Sequence, residues 1–590
     1  LPEVLRADEA RGTTRDDEPE GAGFDVDLGP EAVFDALSEL GRAAWRRVGE
    51  AAARATDAYD GMRYQEPRLR ELALMTDDTR TSLSAMFAAR ARETPEATSF
   101  LWRGRAFSYA VSNARIDNVV RGLWSCGVRP GERVGVLMAS RPSLLVMLTA
   151  LGRLGAVPVL APPEASPAAL GEAFARVGVS YVACDPDHAS VARASTRGDV
   201  LVLGGGSRRR DLGEGLTDME AIDPAHVTLP GDLVLDAGRA GDLALVLLRP
   251  GEGGTLRDAA VTHRWLALSA LGAAAACTLT PEDTVYCAVP LHHPTGVLVC
   301  VGAALAGGAR LALGERFDPA EFLPEARRYG ATVAFYAGEM LRALVHLPPG
   351  RGDRTHPLRL LAGSGMRADL WVKLKERFGV DVMEFYASTS LRIVVANASG
   401  EKVGALGKRL PGSADFLVAR VDLATGVIAR DAQGALVAAA LEEPGLLVAR
   451  LDEREEAPPG ARVIEAPDGR WCASRDVVCK DVDGDLWFDD SLDGFVRTDA
   501  GVVSTRQVED ALYGLAEVEL AVAWGEERAG RTRLRAAVVA KGEIPRERVT
   551  AALSGLEPHA RPEAVTRVES LALTEGFRPD RRAARKSVEG

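Results

Sequence analysis

No CxxC pair occurs in this chain, and its seven cysteines, spread from Cys126 to Cys479, are an odd number. That excludes a disulfide framework and a cysteine zinc site, and it predicts reduced thiols in a cytoplasmic protein. No apolar run reaches the roughly 18 residues that span a bilayer. No secretory leader opens the sequence, although it starts at Leu1 and an upstream segment stays open. Basic excess is missing too. Lys and Arg total 71 against 84 Asp and Glu, a net charge of -13, which excludes a nucleic-acid binder. No internal repeat is found. What is present is globular in composition, with 47% apolar and 26% charged residues. Its 590 residues allow about four domain-sized units.

Residues 1–29 are acidic, with Asp16, Asp17, Glu18 and Glu20 close together, and are expected to form a mobile tail. Residues 30–81 are expected to be a helical extension. Within it, Val33, Leu37, Leu40, Ala44, Val48 and Ala51 fall at helical steps over 30–58, flanked by Trp45, Arg42, Arg46 and Arg47. Docking on the main body explains this stripe; peripheral contact with a membrane surface is the alternative. From residue 82 strands and helices alternate: strands at Thr98–Trp102 and Arg133–Met138, helices at Ala110–Cys126 and Ser143–Leu154, with Gly127, Gly131 and Gly155 at the ends. This alternation predicts an α/β protein with parallel sheets covered by helices. Arg208–Arg210 follow a glycine run and read as a solvated turn. After Asp490 the pattern becomes α+β, with strands near Leu486–Phe488, Ala521–Trp524 and Leu534–Val539 and helices at Thr505–Leu515 and Arg546–Leu556.

Residues 247–263, LLRPGEGGTLRDAAVTH, follow the apolar run Leu243–Leu248. Gly251 and Gly254 are the glycines of a phosphate-cradling loop, but the hydroxyls and the lysine of such a loop are not there. Glu252 stands among them. A carboxylate about 4 Å from a phosphate oxygen costs roughly 4 kcal/mol at an effective dielectric near 20.

The ordered segments FLWRGRAFSYAVSNARIDNVVRGLWSCGVRPGERVGVL, VPLHHPTGVLVCVGAALAGGARLAL, HPLRLLAGSGMRADLWVKLKERFG, EFYASTS and DSLDGFVRTDAGVVSTRQVED resemble the adenylate-forming ligase superfamily. Within it they are similar to the fatty-acid-transport-protein branch of very-long-chain acyl-CoA synthetases. The resemblance covers roughly residues 82–590. It implies a large domain, 82–489, and a small mobile C-terminal domain, 490–590, with the hinge at Asp490. It also implies a two-step reaction using ATP, magnesium and coenzyme A, and a fatty acyl ligand.

Carried over by residue, the resemblance puts the loop's hydroxyl positions on Arg249, Pro250, Glu252 and Gly253, and its lysine on Arg257. The magnesium-holding glutamate falls on Ser390, so no metal ligand is expected. The ribose-holding aspartate is Asp476, the hinge arginine falls on Ser491, and the lysine–glycine–glutamate turn falls on Asp499, Ala500 and Gly501. The C-terminal catalytic lysine falls on Arg578, after Phe577. Gly363, Gly365 and Arg367 stand in the adenine-side loop, where a plain strand-to-helix turn is the other reading. Tyr386 and Thr389 keep the aromatic–hydroxyl motif. His293 stands near the acyl carboxylate or is a core histidine; Asp476 holds ribose or caps a turn; Glu384 is expected to make a structural hydrogen bond. An acyl tunnel is expected along Val333–Gly338, including Tyr336 and Gly338, and along Gly363–Tyr386. Arginine's planar fork is expected not to take over the lysine's role at 578, and an Arg257 or Arg578 pair with Glu252 is expected to seal the triphosphate site. Together these changes predict weakened adenylation in a chain that still binds an acyl or nucleotide-like ligand, or a protein partner. A working divergent ligase and an ATP-independent acyltransferase are the alternatives.

Overall fold

The computed structural model describes residues 61–590 except 206–211, 389–390, 411–412, 452–456, 458–460, 529–530, 575 and 590. The expected tail 1–29, the stripe at 30–58, Arg208–Arg210, Thr389, Ser390 and the Glu252 side chain lie outside the described residues. Within the extension, Glu66–Leu74 is an α-helix preceded by a π-turn at Gly61–Gln65.

The large part of the chain holds two sheets with helices between and around them. The first runs in the order Leu216–Asp218, Asp199–Val202, Val179–Cys184, Arg133–Leu137, Val157–Leu160, Leu243–Pro250, Leu256–Thr262. All neighbours are parallel except the last pair. The crossovers follow from local sequence. Ser108 caps the helix Tyr109–Ser125 through the Val111 N–H, Pro142 opens Pro142–Leu154, and Gly155 ends that helix at φ 82°.

The second sheet has a parallel centre made of Arg310–Leu313, Thr284–Cys287, Val333–Ala337, Leu360–Ser364 and Asp381–Ser388. Antiparallel strands from Ile393–Asn397 to Leu486–Ser491 continue it. Val333–Ala337 is buried along its whole length, as a central parallel strand with both faces covered must be. The main core packs the helices Leu83–Glu93, Tyr109–Ser125, Pro142–Leu154 and His263–Ala276 against these sheets.

The C-terminal residues build a third, three-stranded sheet: Val518–Arg528, Arg531–Ala540 and Ala564–Arg567. The helix Thr505–Tyr513 lies on it through Val508, Leu512 and Tyr513, which share a separate apolar cluster with Leu534 and Val538. The architecture is a large mixed-sheet domain followed by a small α+β domain. Among the described residues no helix is long and apolar enough to cross a membrane.

Candidate active site

The last loop of the chain is drawn into the parallel sheet. Phe577 carbonyl accepts the Glu339 N–H at 3.1 Å, and Arg578 carbonyl accepts the Thr574 N–H at 2.7 Å. Two glycines make this approach possible. A Cβ on Gly338 would overlap the Gly576 carbonyl, and one on Gly365 would lie 2.8 Å from the Arg578 guanidinium; both have positive φ. Arg578 is thereby held over the Phe488 ring, 5.6 Å from its centroid.

Beneath the loop lies a cavity of about 790 Å³. Four arginines line it: Arg249, Arg257, Arg506 and Arg578. Gly251 lies at its edge, while Gly254 does not line it. Gly253 and Gly254 turn the chain between two antiparallel strands at φ 67° and 80°, which only glycine takes easily.

Tyr386 and Asp476 line the cavity too, brought together from positions 90 residues apart. The Tyr386 hydroxyl donates to Asp476 Oδ2 at 2.7 Å. Burial and then the carboxylate raise the tyrosine's pKa well above its usual range, so it stays a donor. His293, on the facing wall, accepts the Thr295 N–H at Nδ1 (3.1 Å), so its proton sits on Nε2. Burial, with Arg249 and His292 beside it, lowers its pKa to about 3, and the ring is neutral.

Glu384 is almost wholly buried under the Gly363–Met366 turn. It accepts the Tyr336 hydroxyl at 2.5 Å and the N–H groups of Gly365 and Met366. Burial raises its pKa to about 7 against these donors. The expected structural hydrogen bond is therefore there and fixes the turn. Gly363 has no room for a side chain against Tyr336.

Two expectations need correction. Tyr336 is fully buried and bonded to Glu384 and the Met383 carbonyl, so it supports the site and does not line it. The central strand admits no tunnel; only its end, Ala337 and Gly338, reaches the cavity. The apolar space lies on the other side of Asp381–Ser388, a pocket of about 200 Å³ between Leu69, Leu72, Leu268, Gly272, Met383 and Phe385. It meets the main cavity at Ser269, Val299, Phe385 and Ala387, which line both. The expected Arg257 or Arg578 pair with Glu252 rests on a side chain outside the described residues; Arg257 and Arg578 both line the cavity.

Arg367 also departs from expectation. It turns away from the cavity into a buried ionic cluster, with Glu339 at 2.9 Å, Glu509 at 2.5 Å, and Asp510. Arg342 bonds the same Glu339 and lies 3.6 Å over the Tyr513 ring. The cluster ties the helix Thr505–Tyr513 to the large sheet. Asp490 ends the strand Leu486–Ser491, and its carboxylate accepts Ser504, Thr505 and the Arg506 N–H, each at 3.0 Å. Burial alone would raise its pKa; Arg581 and these donors lower it.

Residues missed in the sequence are Arg506, Phe488 and the Arg342–Arg367 cluster. Arg506 carried no signal, because only tertiary contact brings it to the cavity. The acidic groups near enough to one another to hold a metal, among the described residues, are Asp481, Asp483 and Asp485. Lys402 already lies 2.6–2.8 Å from all three. At the cavity, Glu384 is engaged as described and Asp476 is held by Tyr386. Asp580 caps the helix Arg581–Glu589 through the Arg582 and Ala583 N–H groups. The described carboxylates thus do not fit a dedicated magnesium cage.

A two-domain α/β architecture with a deep cavity under a docked C-terminal loop defines the adenylate-forming ligase fold. Residues 87–439 match the family described as AMP-binding enzyme, and the chain belongs to that family. It is 27% identical over 533 residues to the medium/long-chain-fatty-acid–CoA ligase FadD6 of Mycobacterium tuberculosis, covering 86% of this chain and 85% of the relative. It is 30% identical over 385 residues to human long-chain fatty acid transport protein 3, covering 62% of this chain and 56% of that protein. Among solved structures, ATP-bound MatB from Rhodopseudomonas palustris shares the fold at a TM-score of 0.70 and 21% identity, over 86% of this chain and 99% of that one. The anthranilate CoA ligase AuaEII in complex with anthranoyl-AMP does so at 0.72 and 18%, over 86% and 97%.

Proposed function

We propose that this chain is a working, divergent adenylate-forming ligase that joins a fatty acid to AMP and then to a thiol. The observation that carries the reading is the open cavity lined by four arginines together with the Tyr386–Asp476 pair. Beside the glycine turn, the guanidinium groups of Arg249 and Arg257 line the space. Arginine is suited to planar, two-point recognition of phosphate.

In the first step an oxygen of the fatty acid's carboxylate attacks the α-phosphorus. The acyl O–P bond forms, and the bond to pyrophosphate breaks, its electron pair leaving with pyrophosphate. The thiol then displaces AMP. Neutral His293 offers its Nε2–H to the carboxylate without drawing it into an ion pair. Tyr386 holds Asp476 Oδ2, leaving Oδ1 for the ribose hydroxyls. Arg257 and Arg578 meet the charge that develops on the phosphates. The Gly363–Met366 turn, fixed by Glu384, forms the floor for the adenine. The pocket behind Phe385 takes the start of the acyl chain. Magnesium supplies charge neutralisation to ATP in this family. The described carboxylates do not fit it.

The domain boundary belongs at Asp490, whose backbone is in the large sheet and whose carboxylate is held by the start of the C-terminal domain. Rotation there exchanges the docked loop for the face carrying Asp499, which is ion-paired to Arg531 at 3.4 Å.

Exchange of labelled pyrophosphate into ATP, run across short, medium and long straight-chain fatty acids, tests the reading. Acid-dependent exchange is expected. Its absence with every acid would return the chain to a ligand-binding role.

A further inference from the structure

Next to the main cavity lies a second, of about 310 Å³, reached past Gly365, Phe488, Arg506, Thr574, Arg578 and Asp580, which line both. Arg506 stands at this waist. Its backbone N–H is anchored on Asp490, and its guanidinium lies 5.1 Å from the centre of the Phe488 ring that Arg578 also covers. The acids lining the second cavity have partners of their own. Glu339 is held by Arg342 and Arg367, Glu509 by Arg367, Asp490 by Arg581 and Asp493 by Arg475. Asp580 caps a helix. By contrast, Arg506's ion pair among the described residues is to Asp510 at 3.7 Å, and Asp510 is also bonded to Arg367. Burial, then the like charges of Arg367 and Arg578, lowers the pKa of Arg506. Cations crowded in this way beside open space favour an anion that spans them.

We infer that Arg506, together with Arg578 on the same aromatic ring, is a binding residue for a diphosphate group, placed at the waist through which pyrophosphate enters and leaves. The inference rests on the ligase reading and deepens it. It adds to the phosphate machinery a guanidinium from the helix Thr505–Tyr513, and so makes pyrophosphate binding depend on the seating of the C-terminal domain. Phe488 lies against both guanidinium groups, and Asp510 draws on Arg506 from the side of its own helix.

The test measures binding of inorganic pyrophosphate to the full chain by calorimetry. The variants are Arg506→Gln, Arg506→Lys and Asp510→Asn, with Arg546→Gln, an exposed residue that lines neither cavity, as control. Loss of one charge-assisted contact should weaken binding about 10–100-fold in Arg506→Gln. Arg506→Lys should recover most of the affinity, which a purely packing role would not do. Asp510→Asn, which removes the competing carboxylate, should tighten binding, and it carries the test if Arg506→Gln does not fold. No binding by the unaltered protein, an unchanged affinity in Arg506→Gln, or weaker binding in Asp510→Asn overturns the inference. Acyl-AMP formation is measured on the same samples. If the unaltered protein binds pyrophosphate through Arg506 but forms no acyl-AMP, the ligase reading fails and the anion site stands.

Discussion

Glu384 shows how one side chain can carry a turn. Three donors converge on it, and burial still keeps its pKa near 7, so it is protonated in the folded protein at pH values where the unfolded chain has already lost its proton. A raised folded pKa gives stability that is complete below the unfolded value and lost as pH rises through the folded one. Stability should therefore decline between about pH 4.5 and 7 on this account. Glu384→Gln removes the titration and leaves a backbone donor poorly met, at a cost of about 1–3 kcal/mol. Urea melts across that pH window should show a flatter profile and a lower plateau; an unchanged slope would remove Glu384 from this role. Arg578 has a kinetic test. Arg578→Ala is expected to slow acyl-AMP formation about 10²–10³-fold, the scale of losing one donor to developing charge. If Arg578→Ala is as active as the unaltered protein, the guanidinium over Phe488 has no part in the chemistry.

At the scale of elements, the helix His263–Ala276 sets the depth of the apolar pocket. Gly272 lines that pocket, and a Cβ there meets nothing within 4 Å. Gly272→Leu should fill the space and raise helix propensity by up to about 1 kcal/mol. Preference in the exchange assay should shift toward shorter acids while thermal stability holds or rises; an unchanged preference would place the acyl chain elsewhere. The strand–helix alternation from residue 82 was legible because apolar spacing, Ser and Pro starts and Gly ends are local signals. Thr98–Trp102 was placed to the residue, and Tyr109–Ser125 within one. The antiparallel strands between Phe416 and Lys480 gave no comparable signal, since their pairing is set by distant partners. The site divides the same way. Gly251, Gly365, His293, Tyr386, Asp476 and Arg578 were all singled out from motifs, and all line one cavity. Tyr336 was misplaced because a strand's two faces are told apart only by what packs on them. Arg506 was missed because nothing in its neighbourhood along the chain points to Phe488.

At the scale of the whole molecule, the Arg342–Arg367 cluster joins the helix Thr505–Tyr513 to the large sheet. Burial would raise the pKa of Glu339, but Arg367 and Arg342 bring it down to about 2, and Asp369, beside Arg342, behaves alike. Carboxylates depressed on folding stabilise above their unfolded pKa, and the benefit is lost as pH falls from about 4.5 toward 2. Acid should therefore release the C-terminal domain, visible as new proteolytic cuts around residues 490–500 before the large domain unfolds. Arg367→Met removes the guanidinium that Glu339, Glu509 and Asp510 share, leaving each with one other arginine, Arg342, Arg581 and Arg506, and should cost about 3–5 kcal/mol at neutral pH. The same cuts should then appear without acid, and a protease-resistant Arg367→Met protein would show that the cluster does not hold the domains together.

The cluster also gives the molecule a clock. If each turnover must withdraw Arg578 and turn the C-terminal domain about Asp490, each turnover must also part Arg367 from Glu509 and Asp510. A step that gives up about 3–5 kcal/mol before anything else is formed slows opening about 10²–10⁴-fold. Salt screens a buried pair little, so ionic strength would hardly change that pace, whereas warming would quicken it. The dwell between the two half-reactions, and with it the time for which an acyl-adenylate stays shielded from water, is then written into a guanidinium that never touches the substrate.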